Sequence, residues 1–71
     1  MSLAPDLDGF EVRFIPAVRA SKDYVCPECH NAVPPRTGHV CAWPEGETDR
    51  RRHWHTHCWR LVARRGRADG V

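Results

Sequence analysis

Phe10-Glu11-Val12-Arg13-Phe14 alternates apolar and polar side chains without a break, the signature of a half-buried strand, and Pro16 ends it or confines it to a sheet edge. A second extended stretch, His39-Val40-Cys41-Ala42-Trp43, places Val40 and Ala42 on one face and His39, Cys41 and Trp43 on the other. The polar run from Pro44 to Asp49 has the length of a hairpin tip, so Arg50 to Trp54 returns as the partner strand. From His55 the period lengthens. Cys58, Leu61, Val62 and Arg65 follow i, i+3, i+4, i+7 and predict a helix of about three turns with those residues as its buried stripe. Gly66 suits the position just past the helix, and the arginines of the last turn complement its dipole.

Between these elements, residues 17–23 read as a connector. Tyr24-Val25 leads into a tight knuckle at Cys26-Pro27-Glu28-Cys29, and Pro34 to Gly38 is turn chemistry with Gly38 available for a positive φ. Residues 1–9 and 67–71 are small and polar and read as loose tails, which leaves 10–66 as a single domain.

Size changes the energetic picture. A chain of 71 residues buries only roughly 60% of the surface that its unfolded form exposes, so its core is marginal and a further staple is expected. Charge changes the functional picture. Residues 1–49 carry a net −4, whereas residues 50–67 hold seven arginines and no acid. One end of the chain is therefore strongly basic although the net charge is only +2. No apolar run approaches the ~18 residues of a membrane span, and Met1 to Asp6 has neither the basic nor the apolar part of an export signal. The expectation is a soluble, cytoplasmic protein with reduced thiols.

The staple is legible in the ligand-type residues. Cys26, Cys29, His55 and Cys58 form the pattern C-x2-C-x25-H-x2-C. The first pair can turn both sulfurs onto one ion from the knuckle, and the second pair shares a face at the start of the helix. Together they predict a Cys₃His tetrahedron around a structural Zn²⁺, whose binding free energy of about 10–16 kcal/mol would decide between folded and unfolded. Cys41 or His57 in place of His55 is the alternative ligand set. Two disulfides or a redox-active Cys-x-x-Cys are the competing uses of the four cysteines. His30, just past the knuckle, reads as a solvated or supporting group.

The Cys-x-x-Cys, the Pro- and Gly-containing turn, the extended strand and then Trp54-His55-Thr56-His57-Cys58-Trp59 resemble the PARP-type zinc finger over residues 24 to about 62. That resemblance implies a treble-clef-like fold: a small zinc-stabilised α+β module of knuckle, β-hairpin and C-terminal helix, with Cys26, Cys29, His55 and Cys58 as ligands. PARP-type fingers recognise broken or distorted DNA. The chain also resembles short, Arg-rich actinobacterial proteins that carry the His39-to-Pro44 segment and are often labelled ATP/GTP-binding. The sequence contains no G-x-x-x-x-G-K-[ST], and its one lysine, Lys22, follows no glycine-rich loop.

Two binding readings follow, and one catalytic reading. Arg50, Arg51, Arg52, Arg60, Arg64 and Arg65 are candidates to contact the phosphates of DNA or RNA. Trp43, at a strand end beside Pro44, is a candidate anchor for a protein partner, while Trp54 and Trp59 flank the ligands and read as core. Arginines neutralising Glu45, Glu47 and Asp49 would give a purely structural account of the charge. His39 and His53 face each other across the hairpin in this reading and, with Cys41, are candidates for a second metal or a His-metal nuclease centre. Such a nuclease wants an asparagine after its catalytic histidine, and the only one, Asn31, sits beside the knuckle. The expectation is therefore a monomeric binding module, contacting nucleic acid or docking onto a larger assembly, and not an enzyme.

Overall fold

The computed structural model describes residues 3–68. Its centre is the strand β4 (His39–Pro44), which pairs antiparallel with β1 (Phe10–Ile15) on one side and β5 (Arg52–His55) on the other. His39, Val40, Cys41 and Ala42 are all buried despite facing opposite ways, because β4 is central and both its faces are covered: Val40 and Ala42 by the core that includes Trp59 and Val62, and His39 by Tyr24. The register sets Val40 beside Phe14 and Trp54 on one face. On the other face it aligns Ile15, His39 and His55 in one row and Arg13, Cys41 and His53 in the next.

The helix α1 (Thr56–Arg65) follows β5 directly. Its Trp59 meets Trp54 edge-on at 4.8 Å and Phe10 at 6.4 Å between ring centres. With Leu7, Val40, Ala42 and Val62, these two tryptophans form the bulk of the core. The helix ends as expected at Gly66, whose φ of 85° is left-handed and whose N–H bonds to the Val62 carbonyl. The short strands β2 (Tyr24–Val25) and β3 (Ala32–Val33) pair as the two sides of the knuckle. A two-stranded ribbon of this length is unstable alone. Val33 and Cys26 anchor it in the same core. Among the described residues, no helix is long and apolar enough to cross a membrane.

The architecture is thus a small α+β fold with one C-terminal helix, as expected at that level, with four local corrections. β5 begins at Arg52, not Arg50, because Thr48–Arg50 closes a 3₁₀ turn held by the Arg50 N–H on the Glu47 carbonyl. The buried stripe of α1 is Cys58, Trp59 and Val62, and Leu61 is 38% exposed. The larger apolar area of Trp59 turns the helix so that Arg65 sits at its flank. The positive φ of the 34–38 turn falls on Arg36, at 61°, where its N–H bonds to the Ala20 carbonyl at 2.6 Å. Gly38 has a steric reason instead: a Cβ there would lie 3.0 Å from the Phe14 ring.

The fourth correction concerns the ends. Residues 3–9 are not a loose tail. Leu7 is buried in the core, and the Pro5 carbonyl accepts a 2.7 Å hydrogen bond from the Trp59 indole. Ala68 packs against the core as well, while residues 1–2 and 69–71 of the expected tails lie outside the described residues.

Candidate metal centre

The knuckle is built by its own backbone. The Cys26 carbonyl accepts the His30 N–H at 2.8 Å and the Cys26 N–H bonds to the Asn31 carbonyl at 3.0 Å, which folds the two cysteines toward the same side. His30 takes the left-handed conformation, φ 63°, that this turn demands. The second ligand pair comes from the junction of β5 and α1: His55 is the residue that caps the helix, and Cys58 lies in its first turn.

All four donor atoms, from Cys26, Cys29, His55 and Cys58, lie within 4.8 Å of one another. Cys29 Sγ is 3.3 Å and Cys58 Sγ is 3.8 Å from His55 Nδ1. A tetrahedron with Zn–S of about 2.3 Å and Zn–N of about 2.0 Å has edges of about 3.5–3.8 Å, so these separations match ligands around one ion. His55 Nε2 lies 2.8 Å from the Ala32 carbonyl. A carbonyl only accepts, so in neutral His55 the proton is on Nε2 and the Nδ1 lone pair faces the sulfurs. That is the arrangement in which a backbone group fixes the tautomer of a metal-binding histidine.

Cys26 and Cys58 are buried and Cys29 and His55 half-buried, so the cluster is largely screened from water. The Asn31 backbone N–H pulls the Cys29 thiol down to about 7 against the opposing effect of burial, with the neighbouring sulfurs assisting. Burial, reinforced by the same neighbours, pushes Cys58 up to about 12. The neighbouring thiols help Cys29 to ionise first, and its thiolate then opposes ionisation of Cys58. A cation at their centre removes that opposition and lets each bind as thiolate.

The alternative donors do not join the group. His57 is exposed on the helix, and Cys41 lies on β4 opposite His53. All four cysteines are free thiols. Among the described residues, no other group of three or more metal-binding side chains converges in this way.

The arginines divide into two sets. Arg50 pairs with Glu47 at 3.1 Å, as the structural account of the acidic loop anticipated. Arg65 grips both oxygens of Glu28, at 2.9 and 3.2 Å, tying the helix to the knuckle and holding the Glu28 carboxyl below its usual value. Arg51, Arg52, Arg60 and Arg64 are exposed and make no ion pair among the described residues. Trp43 is half-buried, with the Arg13 guanidinium 5.9 Å from its ring centre.

Sequence reasoning missed two supporting contacts. Tyr24 stacks on His53 at 3.5 Å, and Glu28 meets Arg65 across 37 positions. The first had a visible signal in an aromatic residue placed just before a knuckle; the second had none.

The matched span of a model of the Rv1322 family covers residues 2–60, which include all four clustered donors. The chain is 46% identical over 66 residues to Uncharacterized protein Rv1322 of Mycobacterium tuberculosis (strain ATCC 25618 / H37Rv). It has the same identity to Uncharacterized protein Mb1356 of Mycobacterium bovis. In both cases the match covers 87% of this chain and 67% of the relative. No solved structure matches it. On the family match and the shared identity, the chain belongs to the Rv1322 family.

Proposed function

We propose that the chain is a zinc-stabilised binding module of treble-clef, PARP-finger-like type, in which Cys26, Cys29, His55 and Cys58 hold a structural Zn²⁺. The observation that carries this reading is the convergence of four donors, one of them oriented by the Ala32 carbonyl. The donor set of three thiolates and an imidazole suits zinc, and a site with four protein ligands has no open position for catalysis. Ion and fold are coupled, because the ligand pairs come from a knuckle and a helix start that lie far apart in the chain. The test is metal analysis of purified protein together with chelation. One zinc per chain and loss of native circular dichroism on chelation support the reading; a chelated sample that keeps its dispersion in NMR spectra ends it.

Arg51, Arg52, Arg60 and Arg64 make nucleic acid the partner class that this module suits best, because exposed arginines outside ion pairs remain available for phosphates. Four such contacts give a log K against log salt slope of about −3.6 on duplex DNA. Replacing the four with serine should abolish that slope while leaving the zinc content unchanged. An affinity insensitive to both salt and substitution would favour docking onto a protein instead, with Trp43 as the anchor to test.

A further inference from the structure

The face of the sheet that carries His55 also carries a second pair of soft donors that the zinc centre leaves unused. Cys41 on β4 and His53 on β5 are direct cross-strand partners, and Cys41 Sγ lies 3.8 Å from His53 Nε2. That is the same separation as Cys58 Sγ to His55 Nδ1 within the four-donor cluster. It is long for a thiol hydrogen bond and matches two ligands on one ion.

The proton arrangement is set from behind. His39 Nδ1 is 2.9 Å from the Thr37 carbonyl, which only accepts, so Nδ1 carries the proton of neutral His39 and Nε2 carries a lone pair. That lone pair lies 2.8 Å from His53 Nδ1, which must therefore donate. His53 Nε2 is left with its lone pair on the side of Cys41. The relay repeats, with a histidine in place of a carbonyl, the way Ala32 orients His55. Tyr24, stacked 10° from parallel on the His53 ring, fixes the ring plane.

Unlike the zinc cluster, this pair opens onto a cleft of about 590 Å³ also lined by Tyr24, Asp49, Arg51 and Arg52. We infer that Cys41 Sγ and His53 Nε2 form an open, two-donor site for a soft monovalent d¹⁰ cation, of which Cu⁺ is the biological example. Sulfur with imidazole selects a soft ion over Mg²⁺ or Ca²⁺. The two arginines of the cleft outnumber Asp49 and disfavour a divalent charge, whereas a thiolate with Cu⁺ is neutral; burial pushes the Cys41 thiol up, and Arg51 opposes that shift. On binding, the Cys41 S–H bond gives its proton to solvent as the S–Cu bond forms, and His53 contributes a lone pair. No electron is transferred. The remaining cleft admits a donor from outside the chain, as a site that passes an ion on requires.

The inference does not rest on the zinc reading, and ion counting keeps the two apart. Zinc-loaded protein is titrated anaerobically with chelator-buffered Cu⁺, then analysed by native mass spectrometry and elemental analysis. The expected product carries one zinc and one copper. Cys41→Ser and His53→Gln should each keep the zinc and the circular dichroism and lose the copper. His39→Gln, altering only the positioning residue, should weaken copper binding about 10–100-fold. Copper that enters solely by displacing zinc, so that the count stays at one, overturns the proposal. So does copper binding that survives Cys41→Ser.

Discussion

Two clusters of cysteine and histidine are each built around a histidine on the same face of β5, and they differ in closure. Around His55, four donors converge from a knuckle and a helix start that are far apart in the chain. Around His53, two donors come from adjacent strands of a single hairpin, and the rest of the surroundings is a cleft. An ion at the first adds a cross-link between parts of the fold that otherwise meet through the shared core and the Glu28–Arg65 pair. An ion at the second joins residues that backbone hydrogen bonds already hold, so its loss leaves the fold in place. Residue types therefore say little about whether a metal site is structural; the connectivity of its ligands decides.

The sharpest way to break this contrast is to delete one donor from each cluster. Cys58→Ala should unfold the domain even with zinc in excess, because the coupled binding energy of about 10–16 kcal/mol exceeds the stability of so small a core. Cys41→Ser should keep a cooperative thermal transition. A Cys58→Ala variant with native circular dichroism would erase the distinction.

A smaller effect is expected at His39, which is fully buried. His39→Leu strands the His53 Nδ1 donor and should lower stability by about 1–3 kcal/mol in chemical denaturation, with zinc content unchanged. Smaller again, Tyr24→Leu removes the stack on His53 and should lower stability by about 0.5–1.5 kcal/mol. At the bottom of the scale, Glu28→Gln breaks the grip of Arg65 on the knuckle. The pair is partly solvated, so the change should stay below about 1 kcal/mol. A larger loss, accompanied by zinc release, would show that this contact helps close the first cluster.

The four converging donors were legible because two pairs of ligand-type residues at short spacing are a local chemical pattern that needs no knowledge of the fold. β1, β4 and the end of α1 were legible for the same reason: alternation, period and a terminal glycine are properties of neighbours. What escaped depended on distant partners. Nothing near Leu7 marks it as core, because its burial depends on a helix some fifty positions away. Gly38 looked like a turn residue, and only the approach of the Phe14 ring reveals that a Cβ there would be crowded. The arginines looked alike in sequence, and pairing with Glu28 and Glu47 separates Arg65 and Arg50 from Arg51, Arg52, Arg60 and Arg64.

The hydrogen bond from Trp59 to Pro5 reaches across 54 positions. During synthesis, β1 and the knuckle leave the ribosome well before the indole that fastens the segment preceding them, and the two sulfurs of the knuckle wait for the same stretch of chain. The module consequently has no stable half: a nascent chain arrested before α1 should remain protease-sensitive whatever metal surrounds it, and native shape should arrive in one late step.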